Sequence, residues 1–264
     1  MYAINLTPLL PLRANAAEES ELVSQILYGE IMTIIETIDR WAKVENFADG
    51  EIGWVDYKML TLIDKSQFDE YSKTMLTKVY YPLMECFNHE NNERLHLVGG
   101  SIVHNKWEFN AINNPITFYP TEIYYEMYPP RKLNGDFIVE KAKEYLNAPY
   151  LWGGKSILGL DCSGLVQVVY SITGVQLPRN SSQQVKCGEE VHFLEDVHAG
   201  DLAFFGKEEG KISHVGILLN SSQIIHASGW VKIEKIDNHG IISAVTGEYT
   251  HTLRSIKRVI NSKF

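Results

Sequence analysis

The sequence predicts an α+β protein in which β-rich segments come first and a mixture of helices and strands follows. In the N-terminal half, apolar and polar residues alternate on both sides of Ala48-Asp49-Gly50, which predicts two strands joined by a tight turn. Further along, apolar residues recur at helical spacing between Asp161 and Gly174. Strand-like runs at 213–219 and 223–229 follow, and the turn residues between them predict a hairpin.

The composition is that of an ordinary globular protein and argues against several kinds of partner. The chain has 264 residues, enough for two or three domains, and 45% of them are hydrophobic and 22% charged. A formal net charge of −9 without a Lys/Arg cluster argues against binding nucleic acid or an anionic membrane surface. No stretch reaches the roughly 18 apolar residues that a membrane-spanning helix needs.

Cys162 is the candidate nucleophile because of its place in the predicted helix. It follows Asp161, which we expect near the N-cap, and Gly174 is expected to end the helix. In the first turn, unpaired N–H groups and the positive end of the helix dipole both lower the pKa of a thiol. Because the thiolate is the attacking species, this position favours a reactive cysteine.

Two histidines in the predicted hairpin are candidates for the base that the nucleophile needs. His214 lies in the first strand-like run and His226 in the second. Neighbouring antiparallel strands hold side chains about 5 Å apart on one face, so His214 could take the thiol proton while His226 orients its imidazole. The three residues would then act as nucleophile, base and orienter, as in hydrolase triads.

The residues alone leave a structural interpretation open. A cysteine in an apolar segment is commonly an inert small hydrophobe, and a histidine in a strand is commonly packed or at the surface. Cys86 and Cys187 have no comparable setting and are expected to be structural. The three cysteines form no CxxC pair and no spacing typical of zinc sites. We therefore expect no disulfide framework, no metal and no cofactor.

Several segments of the C-terminal half occur together in the order in which one peptidase family carries them. They lie at 137–146, 149–154, 161–166, 177–184, 199–205, 214–217 and 225–228. Through them, residues 131–264 resemble the NlpC/P60 family of papain-like cysteine peptidases. The resemblance implies a papain-like catalytic domain with Cys162 as nucleophile, His214 as base and His226 as the third, polar member. It also implies cleavage of bacterial cell-wall peptides, usually at a γ-D-glutamyl bond to a diamino acid.

The N-terminal half resembles a pair of small β domains. Residues 42–55 look like the strand–turn–strand of a bacterial SH3 domain, so we expect an SH3-like domain over 1–64. Short β-like runs over 73–128, with Trp107 and Phe109 among them, resemble a second, less regular SH3-like barrel. We expect a polar connector at 65–73 and a stiff boundary at 129–131. Tandem SH3-like domains before an NlpC/P60 domain resemble the dipeptidyl-peptidase VI type of γ-D-glutamyl-L-diamino acid endopeptidase.

That subgroup implies further substrate-binding residues. An acidic residue and a tyrosine of its first SH3-like domain bind the free amino group of the substrate's L-Ala, and these roles fall on Glu30 and Tyr57. A buried ammonium needs such a carboxylate and hydrogen-bond acceptors. Positions that line the pocket match Trp152, Asp161, Ser163 and Ser181, while Asn180 stands where the family often has Asp. Asp161 is a second candidate for the ammonium, and the N–H of Cys162, with Tyr150 or Ser163, is expected to stabilise the oxyanion.

The expected function is hydrolysis of the γ-D-glutamyl–diamino acid bond of cell-wall peptides with a free N-terminal L-Ala, as in murein peptide recycling. The partner is a peptidoglycan-derived peptide, and we expect a monomer. A wall-peptide-binding module, or an amidase or acyltransferase on the same fold, is the alternative. The N-terminus lacks a basic region and is broken by two prolines, so we expect a cytoplasmic enzyme if Met1 is the native start, or a periplasmic one if a signal was trimmed.

Overall fold

The computed structural model describes residues 1–73, 77–88, 93–103, 134–207 and 210–260. The chain divides into two compact units, one of residues 1–128 and the other of residues 129–264. Within the described ranges, no helix combines the length and the apolar character needed to cross a bilayer.

The first unit is built around a seven-stranded antiparallel sheet. Its strands are β1 (Tyr2–Ile4), β2 (Leu9–Arg13), β3 (Leu22–Leu27), β4 (Ile31–Ile38), β5 (Trp41–Asn46), β6 (Ile52–Asp56) and β7 (Thr61–Ile63). They lie in the order β3-β2-β6-β5-β4-β1-β7. Alternate side chains of the strands point to one core, where Leu10, Leu12, Met32 and Val44 are fully buried. A 3₁₀ turn at Tyr57–Met59 connects β6 with β7.

The predicted strand–turn–strand around Gly50 is confirmed. Strands β5 and β6 pair antiparallel on either side of it. Gly50 has a φ of +72°, a conformation that glycine adopts without steric cost. The Asp49 carboxylate accepts the N–H of Glu51 and an amide N–H of Asn46, both at 3.1 Å, and so holds the turn.

Most of the predicted polar connector at 65–73 is helical. Helix α1 (Lys65–Tyr71) begins with a capping box, in which the Asp64 carboxylate accepts the N–H of Gln67 and the Gln67 side chain accepts the N–H of Asp64. The spacing of Asp64 and Gln67 was the signal for this helix. The segment is polar, but polarity does not exclude a capped helix whose Phe68 packs on the sheet unit.

The remainder of the first unit is described only in part. Strands β8 (Thr77–Lys78) and β11 (Ile102–Val103) pair with each other, as do β9 (Leu83–Asn88) and β10 (Glu93–Val98). The predicted strands at Trp107 and Phe109 and the predicted boundary at 129–131 lie outside the described residues. The second SH3-like barrel over 73–128 therefore stays a prediction.

The second unit combines short helices with a second seven-stranded antiparallel sheet. Its elements are α2 (Gly135–Lys143), β12 (Lys155–Ser156), β13 (Gly159–Leu160), α3 (Cys162–Ile172), α4 (Ser181–Gln184), β14 (Glu189–Glu190), β15 (Leu202–Phe205), β16 (His214–Asn220), β17 (Gln223–Ser228), β18 (Trp230–Ile236), β19 (Gly240–Ile242) and β20 (Tyr249–Arg258). The sheet order is β14-β20-β15-β16-β17-β18-β19, and β19 also pairs with β20. The predicted hairpin is confirmed as β16 and β17, which pair antiparallel.

Helix α3 packs against β16 and β17, which brings its N-terminus to the start of the hairpin. The prediction of this helix is confirmed: the Asp161 carboxylate caps it by accepting the N–H of Gly164 at 2.6 Å, and Gly174, with φ +88°, follows its end. Gly164 is required by close packing, because a Cβ there would lie 2.2 Å from the carbonyl oxygen of Gly154. At the other end, the Tyr170 hydroxyl donates to the carbonyl of Gly200.

Candidate active site

Cys162 is the first residue of α3 and is almost entirely buried, with 7% of its surface exposed. The N–H groups of Val215 and Ser163 donate to its sulfur, so the thiol lies directly against the start of β16. Burial, followed by the negative charge of Asp161, raises the pKa of the Cys162 thiol to about 11, although both N–H groups and Arg179 oppose the rise. Desolvation of the thiolate thus outweighs the lowering by these N–H groups, of which that of Ser163 belongs to the helix terminus.

The two predicted histidines are in direct contact. His214 opens β16 and His226 lies in β17, and both are buried. His214 Nε2 is 2.9 Å from His226 Nδ1, which is a hydrogen bond. Gly216 makes room for this pair, since a Cβ there would lie 3.0 Å from the Cβ of His226. With its Nε2 engaged by His226, His214 has only Nδ1 left for the thiol.

A buried carboxylate that the sequence analysis missed completes the line of hydrogen bonds. Glu234 lies in β18 with 1% of its side chain exposed, and its Oε2 is 2.9 Å from His226 Nε2. Its other oxygen accepts the N–H of Ala244 at 3.0 Å and lies 3.5 Å from Lys232 Nζ. The hydrogen bond from His226 lowers the pKa of Glu234 to about 2 against the cost of desolvation. Glu234 is therefore an anion in the neutral range.

A third imidazole, His251 of β20, also went unpredicted. Its ring stacks on that of His214, with 4.1 Å between the centroids and 27° between the planes. Burial lowers the pKa of His251 to about 4. Burial, and then the neighbouring His251 and His226, also lowers the pKa of His214 well below its ordinary value. At neutral pH His214 is thus uncharged, which is the state in which it accepts a proton.

A buried ion pair lies under the nucleophile. Arg179 is 1% exposed, and its two terminal nitrogens donate to the two Asp161 oxygens at 3.0 and 2.5 Å. Arg179 also donates to the Ser163 hydroxyl at 2.9 Å, and that hydroxyl donates to Asp161 at 3.1 Å. Asp161 accepts the N–H of Gly153 as well. Its carboxylate is thus committed to positioning the start of α3.

An open cavity of about 440 Å³ borders the histidines within this unit. His214, His251, Tyr150, Lys207, Ser228 and Thr250 contribute to its wall. Burial raises the pKa of Tyr150 to about 12, and negative charge at Cys162 and Asp161 adds to the rise. Among the described residues, its lining combines the cation of Lys207, hydroxyl groups, apolar side chains and the imidazoles.

The other predicted pocket residues of this unit differ in their surroundings. Trp152 is exposed, with 60% of its surface accessible, while Ser181 is buried at the start of α4, next to Asn180. Ser163 belongs to the Asp161–Arg179 cluster. Their contacts with a substrate stay predictions.

Glu30 and Tyr57 lie in the first unit. Glu30 is buried between β3 and β4, where its Oε2 accepts the N–H of Leu27 at 2.8 Å and an amide N–H of Asn46 at 3.2 Å. Tyr57 begins the 3₁₀ turn and packs partly against the core of that unit. The binding of a substrate amino group by these residues stays a prediction.

Comparison with protein families gives two matches along the chain. The model of the NlpC/P60 family matches residues 147–250, which contain the cysteine and both histidines of the site. The model of the bacterial dipeptidyl-peptidase SH3 domain matches residues 12–60. The chain contains an NlpC/P60 domain. An SH3-like, β-rich region precedes this domain, and the second barrel and the papain-like arrangement stay predictions.

Known relatives agree with this assignment. The chain is 27% identical to a γ-D-glutamyl-L-lysine dipeptidyl-peptidase of Bacillus cereus over 255 residues, which cover 86% of the chain and 74% of that relative. It is 39% identical to the enzyme of the same name from Bacillus subtilis over 99 residues, 37% of the chain but only 33% of that relative. A solved NlpC/P60 family protein of Bacillus cereus shares the fold, with a TM-score of 0.77, 20% identity and coverage of 99% of this chain and 100% of that one. Over residues 147–250 the chain is thus similar to the NlpC/P60 family, to which peptidases of these names belong.

Proposed function

We propose that the chain is a cysteine endopeptidase that hydrolyses the γ-D-glutamyl–diamino acid bond of cell-wall peptides with a free N-terminal L-Ala. The observation that carries the proposal is the buried contact of His214 with His226 at 2.9 Å, at the strand whose Val215 N–H reaches the Cys162 sulfur. An NlpC/P60 domain supplies the reaction class. The names of the two dipeptidyl-peptidase relatives support the γ-D-glutamyl bond as the target.

The reaction follows from the protonation states of the site. The thiol of Cys162 and the imidazole of His214 are both neutral at rest, because burial raises the pKa of the one and lowers that of the other. His214 Nδ1 removes the thiol proton as sulfur attacks the γ-carbonyl carbon. The tetrahedral oxyanion takes hydrogen bonds from the N–H of Cys162 and the Tyr150 phenol. The intermediate collapses to a thioester when His214 returns the proton to the departing amine of the diamino acid and the C–N bond breaks. Water, deprotonated by His214, then attacks the thioester carbonyl, the C–S bond breaks, His214 returns the proton to the Cys162 sulfur, and L-Ala-D-Glu leaves.

The two ends of the substrate meet different chemistry. The cavity beside His214 is suited to the departing diamino acid, because Lys207 can face its carboxylate and the hydroxyls of Ser228 and Thr250 can serve its polar atoms. Glu30 and Tyr57 of the SH3-like domain bind the free ammonium of L-Ala, as the subgroup implies. A role in recycling murein peptides follows from the demand for a free amino end, which intact wall strands do not present.

The test is mass spectrometry of L-Ala-γ-D-Glu-L-Lys and its meso-diaminopimelate analogue, each with a free and an acetylated N-terminus. We expect wild type to cleave only the free peptides and Cys162→Ala to cleave none. Glu30→Gln should raise KM for the free peptides, whereas the exposed Glu36→Gln in the same sheet serves as the matched control and should not. Equal cleavage of the acetylated peptides would remove the amino-end clamp. No cleavage of any peptide would return the choice to a binding module or to an acyltransferase.

A further inference from the structure

We propose that Glu234 is a positioning residue that fixes which ring nitrogen of His226 and of His214 carries the proton, so that an unprotonated Nδ1 of His214 is directed to the thiol. The inference rests on the proposed function, in which His214 is the base. Beyond that function, the tautomer of the base His214 is set by a carboxylate two hydrogen bonds away, on the third strand β18.

The geometry is a continuous line of side chains across adjacent strands. Glu234 Oε2 is 2.9 Å from His226 Nε2, and His226 Nδ1 is 2.9 Å from His214 Nε2. His226 is 0% exposed and the Glu234 side chain 1% exposed, so water does not compete for these bonds. Both nitrogens of His226 are therefore used by protein groups.

An ionised carboxylate accepts hydrogen bonds but cannot donate them. Glu234 is ionised, since the bond from His226, with the N–H of Ala244 and the nearby Lys232, holds its pKa at about 2. A neutral His226 must therefore carry its proton on Nε2. Its Nδ1 is then bare and accepts the Nε2–H of His214, and so Nδ1 of His214 is the unprotonated nitrogen.

This order matters at the moment of attack. When the Cys162 proton moves to His214 Nδ1, His214 becomes a cation that still donates to His226. The Glu234 charge stabilises that cation through the intervening ring, and no proton needs to pass to Glu234 itself. A neutral group at position 234 would remove this stabilisation. A hydrogen-bond donor there would also move the proton of each imidazole from Nε2 to Nδ1.

Glu234→Gln is the sharp variant because it keeps the shape and adds a donor. Its oxygen should remain with the N–H of Ala244 and near Lys232, so its NH2 group faces His226 Nε2. His226 then carries its proton on Nδ1, and His214 is forced to present a protonated Nδ1 to the thiol. We expect kcat to fall about 10²–10⁴-fold, the range that general acid–base catalysis contributes, with KM changed much less. Glu234→Ala removes the carboxylate without adding a donor and should lose less kcat.

The kcat values of Glu234→Gln and Glu234→Ala, compared with each other, distinguish this role from a structural one. A residue that only filled space would tolerate the isosteric Gln better than Ala, so higher kcat in Gln than in Ala overturns the proposal. Lys235→Met is the control, because it removes a charge at an exposed position of β18 directly after Glu234 and leaves the line of hydrogen bonds intact. It should keep kcat within about threefold of wild type, a difference below 1 kcal/mol.

A second readout does not depend on peptide cleavage. NMR of protein with ¹⁵N-labelled histidine reports the tautomers, and we expect both His214 and His226 to be protonated on Nε2 in wild type and on Nδ1 in Glu234→Gln. A wild-type His226 protonated on Nδ1 overturns the proposal, even if the Gln variant does not fold. If wild type cleaves no peptide, the proposed function fails, while these tautomers still decide the role of Glu234.

Discussion

Replacing Arg179 by Met should destabilise the NlpC/P60 domain strongly. Arg179 is 1% exposed and makes three hydrogen bonds, two to Asp161 at 3.0 and 2.5 Å and one to Ser163 at 2.9 Å. Met fills much of the same space but leaves the Asp161 carboxylate, itself 5% exposed, without a countercharge. Removal of one partner of a buried pair costs about 3–5 kcal/mol. That is a large fraction of the roughly 5–15 kcal/mol by which a domain is stable.

The assay must report on this domain alone, because the chain has two units. Pulsed alkylation of Cys162 in increasing urea does so, since the thiol is buried and sits at the start of α3, and peptide mass spectrometry distinguishes it from Cys86 and Cys187. The control is Lys257→Met in the same domain, where the partner Glu190 is 39% exposed. We expect this control to lose less than about 1 kcal/mol of unfolding free energy.

The double variant Asp161→Asn/Arg179→Met tests the reason for the loss. Asn keeps an oxygen for the N–H of Gly164, so the helix cap survives, but it removes the uncompensated charge. We expect the two changes to be non-additive, with a coupling energy of about 1–3 kcal/mol in favour of the double variant, as is typical of residues in one network. A loss below about 1 kcal/mol in Arg179→Met, or an additive double variant, would refute the reasoning.

Three further results are expected from the site. The rate of alkylation of Cys162 should rise with pH up to about 11, because at about pH 8 its thiolate fraction should be about 100-fold below that of an ordinary thiol. A rate that is already maximal near pH 7 would contradict a neutral Cys162 thiol beside a neutral His214. Glu234 takes up a proton more readily in the unfolded chain, so the stabilisation by its carboxylate is present above about pH 4.5 and is lost as the pH falls towards about 2. The free energy of unfolding, measured by urea titration at a series of pH values, should therefore fall less over this range in Glu234→Gln than in wild type. Gly216→Ala places a Cβ 2.7 Å from Ile224 Cδ1 and 3.0 Å from His226 Cβ, and steady-state kinetics should show kcat reduced about tenfold or more with unchanged thiol content.

The features that the sequence predicted are those set by local chemistry. Asp161 caps α3 because its side chain reaches an N–H three residues on, and Gly174 follows the end of α3 with a positive φ. The hairpin of β16 and β17 follows from two apolar runs and a short turn, and this brings His214 and His226 together. Residue types and short spacing were sufficient for both elements.

The unpredicted residues depend on distant partners. Arg179 meets Asp161 across 18 residues, and His251 stacks on His214 although they are far apart in the chain. Glu234 could have been found from strand register, because Lys232 faces His226 across β17 and β18 and Glu234 lies on the same side two residues further on. This register requires a predicted third strand after the hairpin, and the sequence pattern predicted only the two strands of the hairpin.

The protonation state of the nucleophile shows why position in a helix was an insufficient guide. The N–H of Val215 in β16 and the N–H of Ser163 at the start of α3 both lower the pKa of the Cys162 thiol. The start of α3 is buried, however, and Asp161 carries a negative charge next to Cys162. Burial and this charge raise the pKa of the thiol by more than the N–H groups lower it. A neutral thiol needs a base at the moment of attack, so the proposed reaction requires a neutral His214 whose Nδ1 is unprotonated. In that reaction, the buried carboxylate of Glu234 and the helix that carries the cysteine would both determine reactivity.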